Sequence, residues 1–108
     1  MIDADLIALI LSFRGAEQAS HFGTTDFRVR NTIFATNPQP GILNLNLTRE
    51  QQEMLVGGAA EVFSPIPNKW GLKGWTTARI EALDPVTARS ALMMAWSNVA
   101  PKSRREGR

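Results

Sequence analysis

Cysteine and tyrosine are absent from this 108-residue chain, and histidine occurs once, as His21. Without cysteine there is no disulfide, no thiolate metal site and no thiol nucleophile. A single histidine excludes multi-histidine metal centres. Charged residues make up only 20% of the chain and aromatics 7%. Long apolar runs are missing as well. Leu6 to Leu11 falls far short of the ~20 residues that span a bilayer. It follows Asp3 and Asp5 rather than Lys or Arg, so it does not read as a signal peptide. No repeat or low-complexity tract is visible. These absences point to a cytoplasmic domain with no membrane partner. What is present, 44% hydrophobic residues, suits one soluble domain with a real core.

The charge balance is basic in number and lopsided in place. The net charge is +2, yet the pI is about 9.7. With no Tyr and no Cys, little titrates between pH 7 and 9, and most basic groups are Arg, which stays charged. A slight excess of base therefore moves the pI far. That excess sits in residues 102–108, Lys-Ser-Arg-Arg-Glu-Gly-Arg, which read as a basic disordered tail. Residues 1–101 carry eight positive and nine negative side chains and read as the single folded domain. The pI is thus no evidence for a nucleic-acid partner.

Periodicity divides that domain into elements. Residues 3–13 read as a helix with Asp3 as N-cap and Leu6, Leu9, Ile10 and Phe13 on one stripe, ended by Gly15. Residues 17–22 suit a strand. Residues 26–36 alternate Phe27 and Val29 with Arg28 and Arg30, a strand with one cationic face that a turn at Arg30-Asn31 would split into a hairpin. Asn37 to Gly41 is a turn signal, and Leu43, Leu45 and Leu47 mark a half-buried strand. Thr48 and Gln51 have capping-box spacing for a helix from 49 to about 56, with Met54 and Leu55 inward and Gly57-Gly58 as the stop. Residues 64–75 read as a loop and 75–83 as a strand. Asp84-Pro85 opens a last helix whose core face is Ala88, Ala91, Leu92, Ala95, Trp96 and Val99. The order α-β-β-β-α-β-α predicts an α+β domain, an antiparallel sheet with helices packed on one face and the other partly open.

The sharpest local signal is Pro65 to Thr76, where Trp70, Trp75, Lys69 and Lys73 crowd together with Gly71 and Gly74. Such a loop can offer flat π surfaces for bases and ammonium groups for phosphate. Alternatively, Trp70 and Trp75 plug the sheet edge and pack under the helices.

Several segments resemble the MmcQ/YjbR family: Phe13 to Gln18, Phe27-Arg28-Val29, Ile33-Phe34-Ala35, Asn68-Lys69-Trp70-Gly71, Gly74-Trp75-Thr76, and Ala95-Trp96 with Val99-Ala100-Pro101. The resemblance covers about residues 3–101. It implies a CyaY-like (frataxin-like) α+β fold, described as a double wing, and a DNA-binding role. Many members carry His before the second Trp; Gly74 stands there in this chain, so no role of that His carries over.

Four functions follow for comparison. Weak, non-specific DNA binding would use Arg28, Arg30, Asn68, Lys69, Trp70, Lys73, Trp75, and Arg104 and Arg105 in the tail. Its rival explanation has Arg28 and Arg30 paired with Glu17 or Glu81 across strands. A protein- or small-ligand-binding module would use the open sheet face and the Trp/Lys loop. Frataxin-type metal binding needs an acidic ridge on the first helix, and Asp3 and Asp5 alone do not make one, so no metal and no cofactor are expected. An enzyme is disfavoured. Glu17 and His21 lie about 13 Å apart along one strand and could form a dyad only with help from another strand. No nucleophile elbow or phosphate loop is present.

Overall fold

The computed structural model describes residues 1–101, so the tail at 102–108, with Arg104 and Arg105, lies outside the described residues. Nine residues, Asp3–Leu11, form α1, which buries Leu6 and Ile10 one turn apart. Asp3 does not cap it. Ile2 holds the N-cap position without a side-chain bond, and the Asp3 carboxylate accepts from the Gly41 N–H at 2.9 Å. A long-range backbone donor has displaced the local one.

Next come β1 (Glu17–His21), β2 (Thr24–Val29), β3 (Thr32–Gln39) and β4 (Ile42–Leu45). Residue pairs His21/Thr24 and Val29/Thr32 close the first two hairpins. Their two-residue turns, Phe22-Gly23 and Arg30-Asn31, all have positive φ, the turn geometry that matches strand twist. The expected hairpin split at Arg30-Asn31 is therefore real. The Asn37–Gly41 turn is shorter than its composition suggests. β3 runs on to Gln39, because an irregularity between Thr36 and Gln39 leaves Pro38 outside the pairing.

Helix α2 spans Arg49–Gly58 with both halves of the Thr48/Gln51 capping box formed. It continues through Gly57 and Gly58 to a C-cap at Ala59. Within it Gln52 is the buried residue and Met54 is 57% exposed, the reverse of the expected inward Met54. The segment expected to be a loop holds β5 (Phe63–Pro65) and the short helix α3 (Lys69–Leu72). The strand expected at 75–83 is β6 (Thr76–Arg79) followed by a 3-10 turn, Ile80–Ala82. Helix α4, Pro85–Val99, is capped by Asp84 and buries Ala88, Ala91, Leu92 and Ala95.

Wholly antiparallel, the six-stranded sheet runs β1-β2-β3-β4-β6-β5. One core-facing row joins Phe27, Ala35, Leu45 and Thr76 across four strands. All four are fully buried. The bulge between Phe27 and Arg28 lets Phe34 enter the core beside Ala35. The adjacent row on the opposite face reads Ala19, Asp26, Thr36, Asn44, Thr77 and Ser64. The domain is thus an α+β antiparallel sheet with an apolar and a polar face. Thr48→Ala removes one half of the capping box and is expected to cost about 1 kcal/mol, read from urea unfolding. An unchanged midpoint would mean that tertiary packing alone sets the start of α2.

Candidate functional site

Asn68 starts α3, its Oδ1 accepting from the Trp70 N–H at 2.8 Å. From α2, the buried Gln52 amide donates to the carbonyls of Gly71 and Trp75, both at 3.0 Å. Arg49 Nη1 donates to the Leu72 carbonyl at 3.1 Å. Gly71 lies against the Ile66 carbonyl and Gly74 against the Leu47 carbonyl, where any Cβ would sit within 2.0 Å of the oxygen. These contacts pin the segment on both sides. Its indoles are thereby held apart from the core. Trp70 is 49% exposed, and Trp75 is half-buried and meets it edge to face, 6.5 Å between centroids. Lys73 Nζ stands 5.1 Å over the Trp70 ring, a cation–π contact. Asn68, Lys69, Trp70, Lys73 and Trp75 therefore form one cluster in which a rigid indole and two ammonium groups face water.

Arg28 stands elsewhere and is already engaged. Its Nε and Nη2 donate to the two carboxylate oxygens of Asp26 at 2.7 and 3.1 Å. Residues two apart on a strand share a face, so Asp26 outcompetes Glu17, which lies directly opposite Arg28 in register. Glu81 pairs with Arg79 instead. Asp26 is fully buried, and His21 Nδ1 lies 3.0 Å from its Oδ2. The Arg28 guanidinium holds the Asp26 carboxyl below the usual carboxylate range; burial opposes this, and His21 adds to it. The same bond raises Arg28 above its ordinary value.

The other strand that an imidazole–carboxylate pair required is thus β2, and the carboxylate is Asp26 rather than Glu17. Asp26 was missed because His21 reaches it across a hairpin and Arg28 was set against Glu17 and Glu81 instead. The available signal was an Asp inside a strand, where Asp is depleted, two residues before Arg. Such a pair orients an imidazole but also needs a reacting group and a cavity. His21 lines neither the cleft at Arg14 and Trp96, nor the one at Pro85 and Met93, nor the one at Arg49 and Leu72. Among the described residues, no group of three or more acidic or histidine side chains is placed to hold a metal ion, and no helix is long and apolar enough to cross a membrane.

Arg30 occupies the β2–β3 turn and is exposed. The buried row from Phe27 to Thr76 fixes its relation to the Trp cluster. Arg30 follows Phe27 and Trp75 precedes Thr76, so both lie beyond the same end of the sheet. Their strands are three spacings apart across the sheet, about 14 Å. Trp96, expected on the core face of α4, is only half-buried and lines a cleft with Arg30.

The YjbR family model matches residues 11–98. No curated protein matches the chain. Among solved structures, a Deinococcus radiodurans protein, DR2400, with a DUF419 domain, is similar at a TM-score of 0.69 and 20% identity. The match covers 96% of this chain and 85% of that one. At this identity the likeness establishes the fold alone.

Proposed function

The chain belongs to the YjbR family, and from that premise we propose that it is a non-catalytic cytoplasmic domain that binds DNA weakly and without sequence preference. One observation carries the reading: Trp70 is half-exposed on a segment braced by Gln52, with Lys69 opening the same short helix and Lys73 at its C-cap. An indole held outward at a fixed angle loses little entropy when a base stacks on it, and stacking contributes about 1–3 kcal/mol per base. Stacking needs an unpaired base, so single-stranded DNA is the preferred form. Arg30, beyond the same end of the sheet and three strands across, reaches a further phosphate of the same strand. Arg28 contributes less than its place on the strand suggested, since its fork is committed to Asp26. With residues 1–101 near neutral, affinity is low and rests on a few phosphate contacts.

Anisotropy of a short labelled single strand, titrated at several salt concentrations, tests this. Three cations, Arg30, Lys69 and Lys73, predict a log–log salt slope of about −2 for single strands, and K69A/K73A lowers its magnitude by more than half. Trp70→Ala removes the preference for single strands over duplex. Neutralising Arg104 and Arg105 leaves that preference intact, because it belongs to the folded site. A flat salt response, or no binding at low salt, sinks the reading.

A further inference from the structure

A cleft of about 380 Å³ opens where the end of α1, the β2–β3 turn and the last turn of α4 meet. Val29, Gly15 and Trp96 form its floor and wall, and Arg14, Arg30 and Glu17 stand around it. Its volume lies within the range of small-molecule sites. The Trp96 wall is fixed: its Nε1 donates to the Arg14 carbonyl at 2.8 Å, and its ring packs against Phe13 at 6.1 Å. Arg14 and Arg30 are both exposed, and neither side chain has a hydrogen-bond or ion-pair partner among the described residues. Elsewhere in the fold Arg28, Arg49 and Arg79 each have a carboxylate.

We propose that this cleft is a binding site for a small planar organic monoanion, its ring on Val29 and Trp96 and its anionic group between Arg14 and Arg30. The charge pattern selects the class. Two unpaired guanidinium forks beside an apolar wall match a carboxylate or similar group joined to a flat ring. Glu17 on the same rim leaves the surrounding side chains with one net positive charge, which matches a monoanion. The site shares Arg30 with the DNA reading, but Trp70, Trp75, Lys69 and Lys73 take no part in it, so either reading can fail without the other.

Naphthoate is the probe, with neutral naphthylmethanol of the same shape as control, titrated into the full chain and followed by the three indole N–H resonances. Naphthoate is expected to shift the Trp96 indole and the Gly15 and Arg30 amides while leaving the Trp70 and Trp75 indoles in place. The alcohol binds about tenfold more weakly, the factor corresponding to one charge-assisted hydrogen bond. Arg14→Ala, and Arg30→Asn, which suits a positive-φ turn position, each weaken naphthoate severalfold and leave the alcohol unchanged. Both residues are exposed, so an unchanged melting temperature separates lost binding from lost folding. Equal affinity for acid and alcohol, shifts confined to Trp70 and Trp75, or indifference to both substitutions overturns the proposal.

Discussion

Gly74→Ala is expected to destabilise the domain by about 3 kcal/mol or more, a large fraction of the roughly 5–15 kcal/mol by which a domain is typically stable. Two independent penalties act at this position. The backbone has φ +119, and a Cβ would come within 2.0 Å of the Leu47 carbonyl oxygen and 2.8 Å of its carbon. The obstacle is backbone, so no rotamer change relieves it. Gly71→Ala meets the same fate by one route only, because its Cβ would sit 1.8 Å from the Ile66 oxygen. Gly57 supplies the contrast. It lies inside α2, and a Cβ there meets nothing within 4 Å. Alanine should therefore stabilise it by about 0.5–1 kcal/mol. Urea unfolding of the three variants decides the matter. A small loss in Gly74→Ala would mean that the loop can lift away from Leu47 without harm to the core, which would deny the Trp cluster its rigid base.

Asp26→Ala should cost about 3 kcal/mol, because it leaves Arg28 and His21 on a half-buried face without the carboxylate that joins them. Asp26→Asn keeps the shape and loses the charge, so it should cost less. The pH dependence has a definite sign. The Asp26 carboxyl is held below its ordinary value, so the folded state binds that proton less readily than the unfolded chain does. Its contribution is complete above the usual carboxylate range and is lost as pH falls through the lowered pKa. Asp84, lowered by the Thr87 backbone N–H at the start of α4, acts in the same direction. The diagnostic quantity is therefore the difference between the parent and Asp26→Asn melting curves. It should be constant near neutral pH and shrink below about pH 4. Parallel curves down to strongly acid pH would show that Asp26 adds nothing as a charge.

The partners differ in reach: Gly74 meets Leu47, 27 residues earlier, whereas Asp26 meets Arg28 and His21 within five residues, through a strand and a hairpin. The capping box of α2 was legible because Thr48 and Gln51 are three residues apart and satisfy each other. Asp84 before Pro85 was legible for the same reason. Gln52 and Met54 were misread together. Hydrophobic periodicity ranks a methionine above an amide for burial, but α2 packs against the carbonyls of Gly71 and Trp75, and these need a donor. The Trp/Lys cluster was legible as a composition. Which indole faces water was not, since that depends on Gly74 approaching Leu47 and Gly71 approaching Ile66.

By itself the chain's order of residues determined the α+β alternation outside residues 63–72, the caps that open α2 and α4, the hairpin turn at Arg30-Asn31 and the apolar faces of α1 and α4. These rest on interactions within one helical turn or one strand pair, and residue type and spacing encode them directly. Tertiary structure alone decided that Arg28 is committed to Asp26, that His21 meets Asp26 rather than Glu17, and that Trp96 closes a cleft with Arg14, 82 residues earlier. Each is a competition between several chemically suitable partners. Only strand register and helix placement determine which of them is near enough to win.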